Sequence, residues 1–222
     1  MKKLIPRYLN FKLFILDVRG IEALRFSKCS LGNAVLVSLF VLTLTLSSCA
    51  TWTVMKNKVY TYSGYGFEAE IPADWMKYNM DNHFIITKDG IVLDFIQIEK
   101  RKLDKKLEFT NRKFSHDMLP QEIAEIEIDN LKTAKDILNF NLIENIPYQI
   151  SDQDGYHIHY VYTTASGLKK EGVQCGFKYD DKWIYRLKYE ATSEHYFPLY
   201  WSDFKNLVNT FKVLWKVKSA VV

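Results

Sequence analysis

The sequence predicts an α+β domain, an antiparallel β-sheet with helices on both faces in an α/β/α sandwich. Three observations carry this. Roughly six or seven short segments of alternating or β-branched and aromatic character are joined mostly by hairpin-type turns. Two amphipathic segments, around residues 119–131 and 198–210, stand far apart in the chain. Some strand segments are apolar on both faces, and each helix must bury an apolar stripe, so helix layers covering both faces of the sheet satisfy every element. An aromatic content of 15% in 222 residues fits sheets packed under rings, not a disordered chain.

The first 48 residues stand apart from that domain. Ala34 to Leu46 is an apolar run of about 13 residues, short of the ~18–20 that span a bilayer as a helix. Basic residues precede it and small residues follow, the pattern of a secretory signal. At its end Leu46-Ser47-Ser48-Cys49-Ala50 resembles the lipobox of bacterial lipoproteins. That resemblance implies cleavage before Cys49, acylation of its sulfur and amine with chains such as palmitate, and loss of residues 1–48. Three acyl chains at ~0.8 kcal/mol per buried methylene anchor durably, where one chain does so only marginally. Ala50, where an aspartate would retain the protein at the inner membrane, implies by the same resemblance an outer-membrane address facing the periplasm. Residues 1–33 are long for a charged n-region, and Arg25 with Lys28 would suffice. A start further downstream is one reading of the excess, an unusual leader the other.

Removing the leader alters the charge balance. Seven of the 30 Lys and Arg and two of the 26 Asp and Glu lie in it, leaving 23 against 24 and a net charge of −1 for the remainder. The basic character therefore belongs to the leader, and nucleic acid is not an expected partner. Cys29 leaves with the leader and Cys49 is the lipidation site, so Cys175 stands alone with no disulfide partner and no zinc-type cysteine pair.

The remaining chain divides into a lipidated tether (49–58), one domain (59–214) and a short tail (215–222). Gly66 to Pro72 alternates, with Phe67, Ala69 and Ile71 on one face and Glu68 and Glu70 opposite, and Trp75 follows at a turn to cap a core. Lys88-Asp89-Gly90 is a hairpin turn between a strand at 83–87 and one at 91–100. Ile91 to Ile98 is apolar on both faces and belongs in the middle of a sheet. Leu119 to Leu131 reads as a helix, with Pro120 in the first turn and Glu122 and Glu125 near the positive dipole end, although Ile123 to Ile128 also alternates like a strand. Strands follow at 140–150, 155–163, 173–179 and 183–191, with a turn region at 166–172; the last three form a meander. Trp183, Tyr185, Leu187 and Tyr189 share a face opposite Arg186, Lys188 and Glu190. From Pro198 to Thr210 the spacing of Tyr200, Phe204, Leu207 and Val208 gives a second helix.

Gly66-Phe67, Ile71-Pro72-Ala73-Asp74-Trp75, the strand Tyr185 to Tyr189, and Tyr196, Trp201, Phe204 and Val208 before Thr210-Phe211-Lys212 together resemble PsbP-like domains. The group includes extrinsic photosystem subunits, a eukaryotic Ran-binding import factor and small bacterial lipoproteins, and the resemblance covers about residues 60–213. It implies the same sandwich and a role in docking onto larger complexes, here another envelope protein, without catalysis and without a cofactor. No binding residue of that group maps onto this chain.

Chemistry-bearing candidates are few. His157 and His159 lie on one strand face about 7 Å apart, a spacing some zinc sites use, with Asp152, Asp154 or His195 as possible further ligands. A metal-dependent enzyme or metal-binding module is the alternative function; two half-buried histidines is the plainer reading. Cys175 groups with Val173 and Phe177 and points to the apolar side, where a thiol acts as a small hydrophobe. Seven cations fall between Lys100 and Lys113, interleaved with Glu99, Asp104 and Glu108. They read as a solvated strand end, or as a contact for lipid head groups or an acidic partner. No glycine-rich phosphate loop, G-x-S-x-G or H-E-x-x-H occurs.

Overall fold

The computed structural model describes residues 52–56, 58–79 and 83–214. The expected leader, the expected lipidation site Cys49 and the tail 215–222 lie outside the described residues.

The strands are β1 (Trp52–Val54), β2 (Val59–Tyr62), β3 (Phe67–Glu70), β4 (Met76–Tyr78), β5 (Phe84–Thr87), β6 (Asp94–Lys102), β7 (Ile137–Ile150), β8 (Gln153–Thr164), β9 (Lys169–Tyr179), β10 (Trp183–Thr192) and β11 (Lys212–Val213). Among the described residues the helices are α1 (Pro120–Thr133) and α2 (Tyr196–Thr210). An eight-stranded sheet runs β1-β4-β5-β6-β10-β9-β8-β7, and a small one runs β11-β3-β2, with every pairing antiparallel.

Alternation divides the core in two. Val173, Cys175, Phe177, Tyr185, Leu187 and Tyr189 of the sheet join Phe67, Trp75, Phe204 and Leu207 in one cluster. Tyr156, Ile158, Tyr160 and Ile184 join Ile123, Ala124, Ile126 and Leu131 of α1 in the other. Full burial of one such side chain contributes ~1.5–3 kcal/mol. Trp75, fully buried as its position predicted, spends its one polar atom on Asp203: the indole N–H donates to Oδ2 at 3.1 Å and ties the loop to α2.

Helix α1 resolves the helix-or-strand ambiguity at 123–128. Pro120 occupies its first turn, and the Leu119 N–H donates to the Glu122 carboxylate at 2.7 Å, so an end otherwise lacking acceptors is satisfied. It stops at Ala134, whose backbone turns extended while its N–H returns to the Leu131 carbonyl.

Four expectations are corrected. Ile91, Val92 and Leu93 are not strand: they form the turn before β6, with Ile91 and Val92 exposed. The cause is Asp94, fully buried, whose carboxylate accepts the backbone N–H groups of Lys88 and Asp89 at 2.7 and 2.9 Å and holds the reversal six residues wide. β6 is nonetheless central, as expected. Residues 52–54, assigned to the tether, form the edge strand β1; Trp52 packs on Tyr78 with centroids 4.9 Å apart. The turn before β9 is shorter than 166–172, because β9 pairs with β8 from Lys169 onward. Among the described residues eleven strands replace six or seven, since β1, β2, β4 and β11 are too short to show a period.

Candidate functional site

A cleft of about 500 Å³ opens between α1 and the uncovered part of the large sheet. Its floor is made by Gln97 and Glu99 of β6, Arg186, Lys188 and Glu190 of β10, and Gln174 of β9. Asn130 and Leu131 of α1 and Ala134 just past its end form one wall, and Lys105, Lys106 and Phe109 of the loop after β6 form another.

Strand register dictates the floor. Arg186 stands beside Glu99 on one side and Gly176 on the other, and Gly176 faces Tyr156 of β8. Two rungs on, Glu190 stands beside Gly172, which faces Tyr160. A Cβ on Gly176 would lie 2.5 Å from the Tyr156 hydroxyl, and one on Gly172 2.6 Å from Tyr160 Cζ. The two glycines thus leave room for tyrosine rings from β8 to lie across β9, where the Tyr156 hydroxyl accepts from Gln174 Nε2 and the Tyr160 hydroxyl reaches the charged strand β10. The Tyr160 hydroxyl donates to Glu190 Oε1 at 2.6 Å, and the Tyr162 hydroxyl to Oε2 at 3.1 Å.

Every buried charge on the floor has a counter-charge, as burial requires. The Arg186 guanidinium bridges two carboxylates, donating from Nη1 to Glu127 Oε2 at 3.1 Å and from Nη2 to Glu99 Oε2. Glu127 is fully buried on α1, so this bridge fastens the helix to the sheet. Lys188 Nζ lies 3.4 Å from Glu190 Oε1.

The pKa shifts follow. Burial pushes the Glu190 carboxyl up, but Lys188, the Tyr160 hydroxyl and Lys170 outweigh it and hold it below the usual range. Burial likewise opposes ionisation of Glu99, and Arg186 and Arg101 more than compensate. Arg186 moves up, because Glu127 and Glu99 override its desolvation. Burial, then Glu190, drives Tyr160 and Tyr162 up. The shifts favour ionised Glu99 and Glu190, a charged Arg186 and protonated Tyr160 and Tyr162 around neutral pH.

Two residues of the cleft lining carry a buried polar atom with no partner: Gln174 Oε1, on a fully buried side chain whose Nε2 donates to the Tyr156 hydroxyl at 3.2 Å, and Arg101 Nε. The Arg101 guanidinium sits over the Phe114 ring at 5.3 Å and donates from Nη2 to the Lys105 carbonyl.

The residues singled out by sequence lie elsewhere. His157 and His159 do share the opposite face of β8. His159 Nε2 is 2.7 Å from Glu171 Oε1 and its ring stacks on Phe197 of α2; His157 Nδ1 is 3.5 Å from Glu144 Oε2 and its ring packs near Tyr148. Burial lowers the His157 pKa. Asp154 is bonded by Gln149 and His195 lies edge-on to Tyr196. Among the described residues no group of three or more His, Cys, Asp or Glu side chains could hold a metal ion. Cys175 is buried in the apolar cluster, as its alternation predicted, and burial pushes its thiol well up. The cationic run is split: Arg101 is buried, while Lys105 and Lys106 are exposed on the cleft wall. Sequence reasoning missed Glu99, Glu127, Gln174, Glu190 and Tyr160. The available signal was a charged face, Arg186 to Glu190, on a strand whose other face is wholly apolar, next to glycines two rungs apart.

No protein-family model matches the chain, and no curated protein does. Solved structures do. The solution structure of cyanobacterial PsbP (CyanoP) from Synechocystis sp. PCC 6803 aligns with a TM-score of 0.51 at 14% identity, over 76% of this chain and 99% of that one. The fold is PsbP-like. The Ran-binding protein Mog1p of Saccharomyces cerevisiae aligns over 72% of this chain and 96% of its own, at TM-score 0.47 and 9% identity. LpqN of Mycobacterium tuberculosis, described as involved in cell envelope biogenesis, aligns over 76% and 87%, at 0.39 and 10%. At these identities the likeness concerns the fold alone: a mostly antiparallel sheet with two helices among the described residues.

Proposed function

We propose that the chain is a lipid-anchored protein of the bacterial cell envelope, held at the outer membrane by acylated Cys49. Its PsbP-like domain, an α/β/α sandwich with one helix on each face of the large sheet, recognises another envelope component by non-covalent docking without catalysis. The observation that carries the recognition half is the cleft floor, where Glu99, Glu190 and Arg186 are each locked in their charged form by a neighbour. Such a surface presents a fixed pattern of donors and acceptors and offers no group poised for proton transfer.

The anchoring half is supported by Leu46-Ser47-Ser48-Cys49-Ala50 at the end of an apolar run. Among the described residues no helix is long and apolar enough to cross a membrane, so attachment in this reading falls to Cys49. Only two residues stand between Cys49 and Trp52 of β1, a reach of ~10 Å when fully extended, which keeps the domain close to the lipid surface.

Palmitate labelling and detergent partitioning of the wild type and Cys49→Ser test the anchor; label and membrane association are lost in the variant, and their persistence refutes it. A photo-crosslinker at Lys106 or Glu108, on the cleft rim, tests docking in intact cells. A discrete adduct absent when the crosslinker is moved to Lys205 is expected; identical adducts from both positions count against the cleft as the recognition surface.

A further inference from the structure

The two orphaned atoms in the cleft differ in kind, and the difference selects a ligand. Arg101 Nε is a buried donor on a permanently charged group, and Gln174 Oε1 is a buried acceptor. Buried polar atoms in native proteins almost always find a partner, and one left unpaired on a residue that lines a cavity marks where a small side-chain shift would let a ligand or an ordered water complete it. The two positions lie on β6 and β9, separated by β10. By register Arg101 is beside Ile184, and Gln174 is beside Lys188, four residues along the same strand. That offset is ~13 Å along the strands and ~10 Å across them between backbones, before the long arginine side chain shortens it. A single water cannot serve both.

Charge is also unevenly distributed. Glu99 is committed to Arg186, and Glu190 to Lys188 and two tyrosine hydroxyls. Arg101, Lys105 and Lys106 form no ion pair among the described residues, and they gather at the loop end of the cleft. Glu108 shares that loop, Asp136 lies within electrostatic reach of Tyr162 at the other end, and Glu127 balances the second arm of Arg186, so the cleft as a whole is neutral and the cations are a local excess at the loop end. The other end holds acceptors: Gln174 Oε1 and the Glu190 carboxylate. Phe109 at the loop end and Tyr162 beside Glu190 add ring surface to the lining, suited to the C–H face of a saturated ring.

We propose that the cleft binds a small acidic polyol, a sugar or cyclitol bearing one carboxylate or phosphate. Its acid group sits at Arg101, Lys105 and Lys106, and its hydroxyls donate to Gln174 Oε1 and Glu190. The cavity of about 500 Å³ exceeds what a monosaccharide acid needs and leaves room for bridging water. The inference rests on the recognition reading above and names the chemistry recognised; the acid could be a free metabolite or the terminal unit of an envelope glycan or lipid head group.

Isothermal titration of the full chain in detergent micelles tests it, with glucuronate and glucose 6-phosphate as probes and glucose and inorganic phosphate as controls. One or both acids are expected to bind, at least tenfold more tightly than either control. Lys105→Gln with Lys106→Gln, both exposed and safe for folding, weakens the acid about tenfold and reduces its salt dependence. Gln174→Leu weakens it similarly through the hydroxyl end, while unchanged circular dichroism shows the fold intact. Competition between the free acid and vesicles carrying glucuronosyl lipid then distinguishes the free from the lipid-borne source. Binding of glucose as tight as glucuronate, or of neither acid at millimolar concentration, overturns the proposal. In the second case the rim crosslinking result shows independently whether the cleft docks something else.

Discussion

Gly172→Ala is the sharpest probe of the cleft floor. The backbone there has no left-handed strain, so a Cβ should by itself favour the strand by ~0.5–1 kcal/mol through reduced freedom of the unfolded chain. The structure argues for the opposite sign. The new methyl would stand 2.6 Å from Tyr160 Cζ and 2.8 Å from its hydroxyl, about 1 Å inside ordinary contact. Tyr160 is fully buried, so its ring can yield only by leaving Glu190, to which it donates at 2.6 Å. Overpacking costs ~1–3 kcal/mol, and loss of a hydrogen bond to a charged group ~1.5–3 kcal/mol. After the conformational gain the net is about 2–4 kcal/mol of destabilisation, or ~5–15 °C in Tm for a domain of this size. Urea unfolding of residues 50–222, followed by tryptophan fluorescence, measures it as a lower midpoint at unchanged slope. The control is Tyr160→Ala, in whose background Gly172→Ala should become neutral or stabilising. A cost under ~0.5 kcal/mol beside the native tyrosine, or an undiminished cost beside alanine, would refute the claim that this glycine exists for that ring.

Three further outcomes follow from the same floor and core. Arg186→Met leaves Glu99 and Glu127 buried and unpaired and should cost ~3–5 kcal/mol; adding Glu99→Gln and Glu127→Gln should recover more than half, and a single-variant cost under ~1 kcal/mol in the same urea assay would contradict the bridge. Because the folded Glu99 carboxyl lies below its ordinary range, its pairing contributes fully above the unfolded value near ~4.3 and is lost as pH falls through the folded value. Stability should thus decline below about pH 5, and Glu99→Gln should flatten that decline in pH-dependent melts. Finally, Cys175 in residues 50–222 should react with a thiol reagent only through opening, ~10³-fold or more slower than in urea, since it is 2% exposed and burial pushes its thiol up.

How much of this was legible before folding differs by element. Phe67, Ala69 and Ile71 were correctly placed on a buried face because a half-buried strand prints its environment every second residue. Helix α1, where alternation and helical spacing competed, was decided by Pro120 and Glu122 at its start and by a stripe that buries Ile123, Ile126 and Leu131. Ile91 to Leu93 misled because composition records what a residue favours, and the buried Asp94 carboxylate overrode that preference by demanding the N–H groups of the turn. The histidine pair drew the eye by residue type, yet its partners, Glu144 and Glu171, come from the strands on either side.

By itself the sequence determined what is local: the face of each long strand, the two helices among the described residues and the inward turn of Cys175. Local patterns suffice for these because strand and helix periods act over a few residues. Only the tertiary structure decided that Arg186, four strands into the sheet, would meet Glu99 from 87 residues earlier and Glu127 from 59 residues earlier. It also decided that Gly172 and Gly176 would be empty so that two tyrosines could cross them. Register across β6, β10, β9 and β8 is a property of chains paired at a distance. The cleft exists only in that pairing, because no single segment contains more than one side of it.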